Sequence, residues 1–146
     1  MDELVSAAET FRTALENTPS AELPPGLQLF PVGACSDASL LLGYYLKTHG
    51  FGVFNFVSGK CWDKNGEWST HAWIRQGNVI VDITADQFPE QPPVIVTDNS
   101  PWHDTFDVAV PHEADYHVYQ DNRTVAELGG AYATVMATLE AMNRAD

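Results

Sequence analysis

Three side chains that could together activate a thiol are spread through the first 82 residues: Cys35, His71 and Asp82. The chemistry needs a sulfur nucleophile, an imidazole to take its proton and a carboxylate to hold the imidazole in one tautomer. Cys35 follows the turn Gly33-Ala34 and opens an apolar run reaching Thr48. At a helix N-terminus, unpaired N–H groups and partial positive charge favour thiolate over thiol. The same N–H groups can hold a developing oxyanion. Asp37 works against a thiolate if it faces the sulfur, and not if it caps the first turn and points away. An isolated cysteine is more commonly a small buried hydrophobe, so the weight of the reading rests on the other two residues.

His71 and Asp82 lie in Thr70-His71-Ala72-Trp73-Ile74 and Val79-Ile80-Val81-Asp82-Ile83, two β-rich runs around Gln76-Gly77-Asn78. That pattern predicts a hairpin, and the loop length decides which faces the two residues share. A two-residue turn at Gly77-Asn78 sets His71 opposite Thr84 and Trp73 opposite Asp82. His71 and Asp82 are then diagonal neighbours, about 7–8 Å apart. A four-residue loop from Arg75 to Asn78 sets them directly opposite, about 4.5–5.5 Å apart. A three-residue loop sends them to opposite faces. A carboxylate inside so apolar a strand needs a partner; a backbone cap, a surface lysine and His71 are the options.

The order of these residues resembles the transglutaminase-like group of the papain-like superfamily of cysteine peptidases, amidases and acyltransferases. The segments that carry the likeness are Gly33-Ala34-Cys35-Ser36-Asp37-Ala38-Ser39, Ser69-Thr70-His71-Ala72-Trp73 and Val81-Asp82-Ile83-Thr84-Ala85-Asp86-Gln87-Phe88, within residues 27–90. The resemblance implies Cys35 as nucleophile, His71 as general base and acid, and Asp82 as orienter. It implies an α+β fold in which a central helix carrying the cysteine packs on an antiparallel sheet carrying the histidine and aspartate. Gln28 lies upstream of Cys35, as the oxyanion-hole glutamine does in papain-like enzymes. Arylamine acetyltransferases share the Cys, His, Asp order, but this chain has no room for their extra domain or for the acceptor domains of large transglutaminases.

Other residues give weaker signals. Asp86 is a second candidate orienter, and Gln87 could line the site. Trp68 and Trp73 flank His71 as walls of a substrate groove or as core, with core favoured. Cys61, in a polar loop without an adjacent base, reads as incidental. His103, His112 and His117, with Asp104, Asp107 and Asp115, match no closed zinc spacing. No EF-hand loop or glycine-rich phosphate loop is present, so neither metal nor cofactor is expected.

Positioning these groups falls to a small set of elements. Periodicity predicts an amphipathic helix over Asp2–Asn17 and a central, nearly encircled helix over Cys35–Thr48. Strands are expected at Phe51–Val57, Thr70–Arg75, Val79–Thr84 and Val94–Thr97, with one more near Tyr116–Tyr119, and Leu27–Phe30 reads as a short strand or a bound loop. A last helix should start at Thr124, whose spacing to Glu127 forms a capping box. The 146 residues make one domain, 1–146, with a core of its own.

Charge limits the partners. Twenty acidic residues against seven basic ones give −13 with neutral histidines. Residues 25–60, around the cysteine, carry +1, whereas residues 101–146 carry −6. A surface of this sign excludes nucleic acid and disfavours anionic membranes. It suits a protein or peptide substrate, basic ones above all, or serves solubility. No basic n-region stands at Met1-Asp2-Glu3-Leu4, which points to a cytoplasmic protein or one exported by a signal-less effector route.

The function expected is a thiol hydrolase, either a peptidase, an amidase or a deamidase, working through an acyl-enzyme. The alternatives are acyl transfer to an amine, as in transglutaminases, acetyl transfer from acyl-CoA, and a silent binding or immunity-type protein of the same fold.

Overall fold

A computed structural model describes residues 1–145. Helix α1 (Asp2–Asn17) buries Ala8, Phe11, Ala14 and Leu15 along one stripe. Complete burial of a side chain such as Phe11 is worth about 1.5–3 kcal/mol. Asp2 and Glu3 in its first turn complement the helix dipole. Helix α2 (Cys35–Thr48) is central: Ala38, Leu40, Leu41, Leu42 and Leu46 are all buried. Both helices begin and end where periodicity predicts.

Four main strands follow in an antiparallel sheet: β1 (Asn55–Trp62), β2 (Trp68–Gln76), β3 (Val79–Asp82) and β4 (Ile95–Thr97). Helix α3 (Pro101–Asp104), the two-residue strands β5 (Asp107–Val108) and β6 (His112–Glu113), and helix α4 (Asn122–Ala145) complete the chain. The sheet order is β4-β3-β2-β1-β5, with β6 also pairing β1. The class is therefore α+β, as expected.

The two faces of the sheet are covered differently. Ala72, Ile74 and Val81 face the layer of α1, α2 and α4 and join its core. The alternate residues Val57, Trp73 and Ile80 form a second cluster with Phe106, against which Phe88 and Trp102 pack. His71 and Asp82 share the parity of this second face, so strand alternation carries them away from the leucine core.

Several expected boundaries move. Gly50 and Gly52 hold φ of +87° and +88°, so the chain turns before β1 can start at Asn55. The strand then runs through Ser58-Gly59-Lys60 because it pairs with β2 from Asn55↔Arg75 to Trp62↔Trp68. Gly59 suits the close approach of β5: a Cβ there would stand 3.0 Å from the Asp107 carbonyl, so the neighbouring strand would have to shift slightly. Strand β3 stops at Asp82, two residues short of expectation. Leu27–Phe30 is no strand; Pro25–Leu27 form a 3₁₀ turn. Tyr116–Val118 are also 3₁₀, with Asp115 accepting the His117 N–H at 2.9 Å. The last helix starts at Asn122, not Thr124. Asp121 accepts the Arg123 N–H at 3.1 Å and the Thr124 hydroxyl at 2.7 Å, which leaves Thr124 inside the first turn. No helix among the described residues is long and apolar enough to cross a membrane.

Candidate functional site

The hairpin of β2 and β3 turns at Gly77, whose φ is +59°. Its register, Ile74↔Val81 to Gln76↔Val79, is that of the two-residue turn. His71 and Asp82 are thus diagonal neighbours on one face, and their side chains close the gap. His71 Nε2–H donates to Asp82 Oδ2 at 2.7 Å, with both side chains excluded from solvent. Asp82 Oδ1 accepts the Thr84 N–H at 3.0 Å. Three donors converge on this carboxylate in all, the third described below. Burial alone would raise its pKa, but hydrogen bonds from His103, His71 and Thr84 and the His71 charge hold it below the ordinary value.

The β2–β3 ladder pairs no residue before Ile74 on β2. The Ala72 N–H is left to reach the Cys35 thiol, which arrives at the first residue of α2. The sulfur also meets His71 and the Gln87 amide. Burial pushes the Cys35 thiol up, but the hydrogen bond and charge of His71 outweigh it, aided by Ala72 and Gln87, so its pKa is lowered. In His71, burial works against the charged form, while Asp82 and Cys35 favour it and prevail. Its pKa rises from 6.5 to about 9. Both shifts run in the direction that favours a thiolate–imidazolium pair. Helix α2 has no side-chain cap, so no side chain of the cap residue Ala34 occupies its first-turn N–H groups.

Asp37 does not face the sulfur. Its carboxylate lies so near Gly26 that a Cβ there would stand 2.2 Å from Oδ2. Burial, then the charge of Glu127, raises its pKa.

The other candidates divide. Gln87 sits in a 3₁₀ turn, Ala85–Gln87, and its amide lies 3.0 Å from His71 Nδ1. Gln28 is spent elsewhere: its amide donates to the Leu23 carbonyl at 2.9 Å, on the surface. The amide that meets the thiol is therefore Gln87. Trp73 is 2% exposed and packs into the second core, so it is no substrate wall. Trp68 is exposed, with the Lys60 ammonium 4.9 Å above its ring. Asp86 is not an orienter: both of its oxygens receive the Arg12 guanidinium at 2.8 Å. Arg12 also donates to the Ile83 carbonyl at 2.7 Å, which pins the segment leading to Gln87. Cys61 is half-buried beside the second cluster, apart from these groups.

One residue was not singled out for this site by its sequence context. His103 Nε2–H donates to the same Asp82 Oδ2 at 2.7 Å, with both side chains buried. Its signal in the sequence was only a histidine within an aromatic, Pro-started segment, Pro101-Trp102-His103. His112 stacks on Phe56 and His117 on Tyr116, so these three histidines form no common cluster. The ligand atoms of His71, Asp82 and His103 do lie within 4.8 Å of one another. Ligands about 2.0–2.1 Å from a tetrahedral zinc ion stand roughly 3.3 Å apart. Both imidazole nitrogens stand 2.7 Å from one oxygen, which is hydrogen-bond geometry.

Aromatic rings enclose the imidazole. Phe88, Trp73, Trp102 and Phe106 have centroids 5.0, 5.7, 5.7 and 6.0 Å from that of His71. Beside His71 on β2, Thr70 lines a cavity of about 330 Å³ shared with Ser58, Lys60 and Asp107.

No family model, curated protein or solved structure matches this chain.

Proposed function

We propose that the chain is a thiol-dependent hydrolase that cleaves an amide or related acyl bond through a Cys35 acyl-enzyme. One observation carries the reading: His71 is held by Asp82 at 2.7 Å on one ring nitrogen while its ring also meets the Cys35 thiol. A proton acceptor fixed in one tautomer beside a thiol at a helix start is what such a mechanism requires, and this supports the reading.

The steps follow from the proton positions. The Cys35 thiol gives its proton to His71 Nδ1, displacing the Gln87 amide N–H that donates there at 3.0 Å. The Cys35 sulfur attacks the carbonyl carbon, forming the C–S bond and moving the π electrons onto oxygen. The donors proposed for that oxygen are the first-turn N–H groups of α2 and the Gln87 amide. His71 Nδ1–H protonates the leaving amine as the C–N bond breaks, leaving a thioester and a neutral imidazole. Water then attacks the thioester while Nδ1 takes its proton, and the C–S bond breaks to release the acid and restore the pair. An amine in place of water gives acyl transfer. The −13 charge favours peptide substrates with basic segments.

A nitrophenyl ester reports the first half-reaction directly. The expected result is a burst of nitrophenol equal to the enzyme present, with the acyl mass on Cys35 and none on Cys61. Both signals vanish in His71→Ala. Adding a primary amine and comparing amide with free acid in the products separates transfer from hydrolysis. Acylation of Cys35 no faster than that of Cys61 overturns the reading in favour of a binding protein.

A further inference from the structure

Asp82 Oδ2 accepts two imidazole N–H groups, one from each side: His71 on β2 and His103 on α3, both at 2.7 Å. The thiol chemistry proposed above uses only the first. His103 is 2% exposed and is held in its own tautomer. The Ser100 hydroxyl lies 2.5 Å from His103 Nδ1 and accepts the His103 backbone N–H at 3.3 Å, so its proton is directed at Nδ1. A lone pair at Nδ1 places the His103 proton on Nε2, where Asp82 receives it. A continuous chain of hydrogen bonds thus runs from Ser100 through His103, Asp82 and His71 to the Gln87 amide, and the His71 ring faces Cys35.

We infer that His103 is a positioning residue for this site: its Nε2–H fixes the Asp82 carboxylate and shares its charge, so that Asp82 orients His71 without binding its proton too tightly. This rests on the thiol-hydrolase reading for its catalytic consequence, though the placement of the proton stands on geometry alone. Without His103, Oδ2 would have the His71 donor alone and only the Thr84 N–H on Oδ1 would oppose a swing of the carboxylate toward His71. With two donors, one from the strand and one from the covering segment, that swing breaks a buried hydrogen bond in either direction. The ionisable groups around His71 are Cys35 from α2, Asp82 from β3 and, across the carboxylate, His103 from α3.

The test sets packing against donation. His103→Phe fills the same aromatic surroundings (Trp73 and Trp102 centroids both 4.7 Å from the His103 ring) but offers no N–H. His103→Gln packs less well but carries an amide donor near the position of Nε2. Positioning predicts that acylation of Cys35 by nitrophenyl acetate falls about 10- to 100-fold in the phenylalanine variant and is largely kept in the glutamine one. The alkaline limb of its pH profile should move upward in the phenylalanine variant, since an unshared carboxylate holds the His71 proton more firmly. Ser100→Ala, which frees the His103 tautomer, gives a smaller fall. Nitrogen-15 NMR of the unaltered chain should show a protonated Nε2 on His103. Phenylalanine tolerated as well as glutamine, or an unprotonated Nε2, overturns the inference while leaving the hydrolase reading intact. Should the phenylalanine variant not fold, the glutamine and Ser100→Ala rates and the NMR signal decide. Absence of a Cys35 thioester in the unaltered chain, with the Nε2 proton present, overturns the hydrolase reading and the positioning role with it.

Discussion

Replacing Asp82 by asparagine removes one negative charge and changes almost no volume, which makes it the sharpest perturbation of the ion pair. In the native chain Oδ2 accepts both imidazole N–H groups at 2.7 Å and Oδ1 accepts the Thr84 N–H at 3.0 Å. An amide cannot meet all three donors. With its oxygen toward the imidazoles, its NH₂ opposes the Thr84 N–H; turned over, its NH₂ opposes two imidazole N–H groups. The imidazolium form of His71 also loses a charge-assisted hydrogen bond, worth about 1.5–3 kcal/mol. Each 1.36 kcal/mol is a factor of ten, so the thiolate–imidazolium population should fall about 10- to 150-fold. Iodoacetamide alkylation, followed by peptide mass from pH 5 to 10, reads that population through the rate at Cys35. Cys61 serves as an internal reference for an intact fold. Asp82→Asn should be slower than the unaltered chain at pH 6–7, and the two profiles should converge above pH 9, where His71 surrenders its proton in either case. Overlapping profiles at pH 6–7, with Cys61 unchanged, would refute the claim that Asp82 sustains the charged pair.

Further outcomes follow from the same contacts. Arg12 is 7% exposed and holds Asp86 through two 2.8 Å hydrogen bonds. Arg12→Leu should cost about 1–3 kcal/mol in denaturant unfolding, chiefly through the unpaired Ile83 carbonyl and Asp86 carboxylate, and Arg12→Lys should recover only part of it, because one ammonium cannot reproduce the fork. Gly43→Ala places a Cβ 2.2 Å from the Ala114 carbonyl, so α2 or residue 114 must move. A loss of about 1–3 kcal/mol or more is expected, and an unchanged Tm would contradict that packing. In Cys35→Ala the Asp82 hydrogen bond still raises His71. The resulting stabilisation is complete below about pH 6.5 and is lost as pH rises toward the folded pKa of His71. The span from 6.5 to about 9 in the intact site sets its ceiling near 3 kcal/mol. Urea titrations at pH 6 and pH 9.5 measure that difference, and a variant more stable at the higher pH would have the sign wrong. Gln87→Leu removes the amide whose nitrogen lies 3.0 Å from His71 Nδ1 and should slow Cys35 acylation about tenfold, the loss of one hydrogen bond worth about 1.4 kcal/mol.

Much of the candidate site is legible in the sequence because two periods are rigid. A strand alternates its faces, so the turn at Gly77-Asn78 decides by arithmetic that His71 and Asp82 share one. The apolar run after Cys35 marks a helix whose start holds the cysteine. What escapes depends on contacts between segments distant in sequence. His103 sits on a four-residue helix whose place over the sheet no local pattern encodes. Gln28 and Gln87 are both plausible amides, and only tertiary contacts assign one to Leu23 and the other to the thiol. Asp86 reads as a spare orienter until Arg12, 74 residues upstream, claims both of its oxygens. Strand β1 was displaced because Ser58, Gly59 and Lys60 score poorly as strand residues, yet partners in β2 supply what propensity lacks.

The assembly of the site has a consequence for when its thiol becomes reactive. The His71–Asp82 contact spans 11 residues and forms within one hairpin, whereas His103 meets Asp82 across 21 and Cys35 comes from a separate helix. Contacts of greater sequence separation carry a larger loop-closure entropy and tend to form later. The imidazole and carboxylate can therefore meet early, while the cysteine gains its depressed pKa only when α2 docks. A nascent or partly unfolded chain carries an ordinary thiol, so an activated nucleophile is not exposed to stray electrophiles before the fold encloses it. Cys35 reactivity accordingly reports on the docking of α2 against the hairpin.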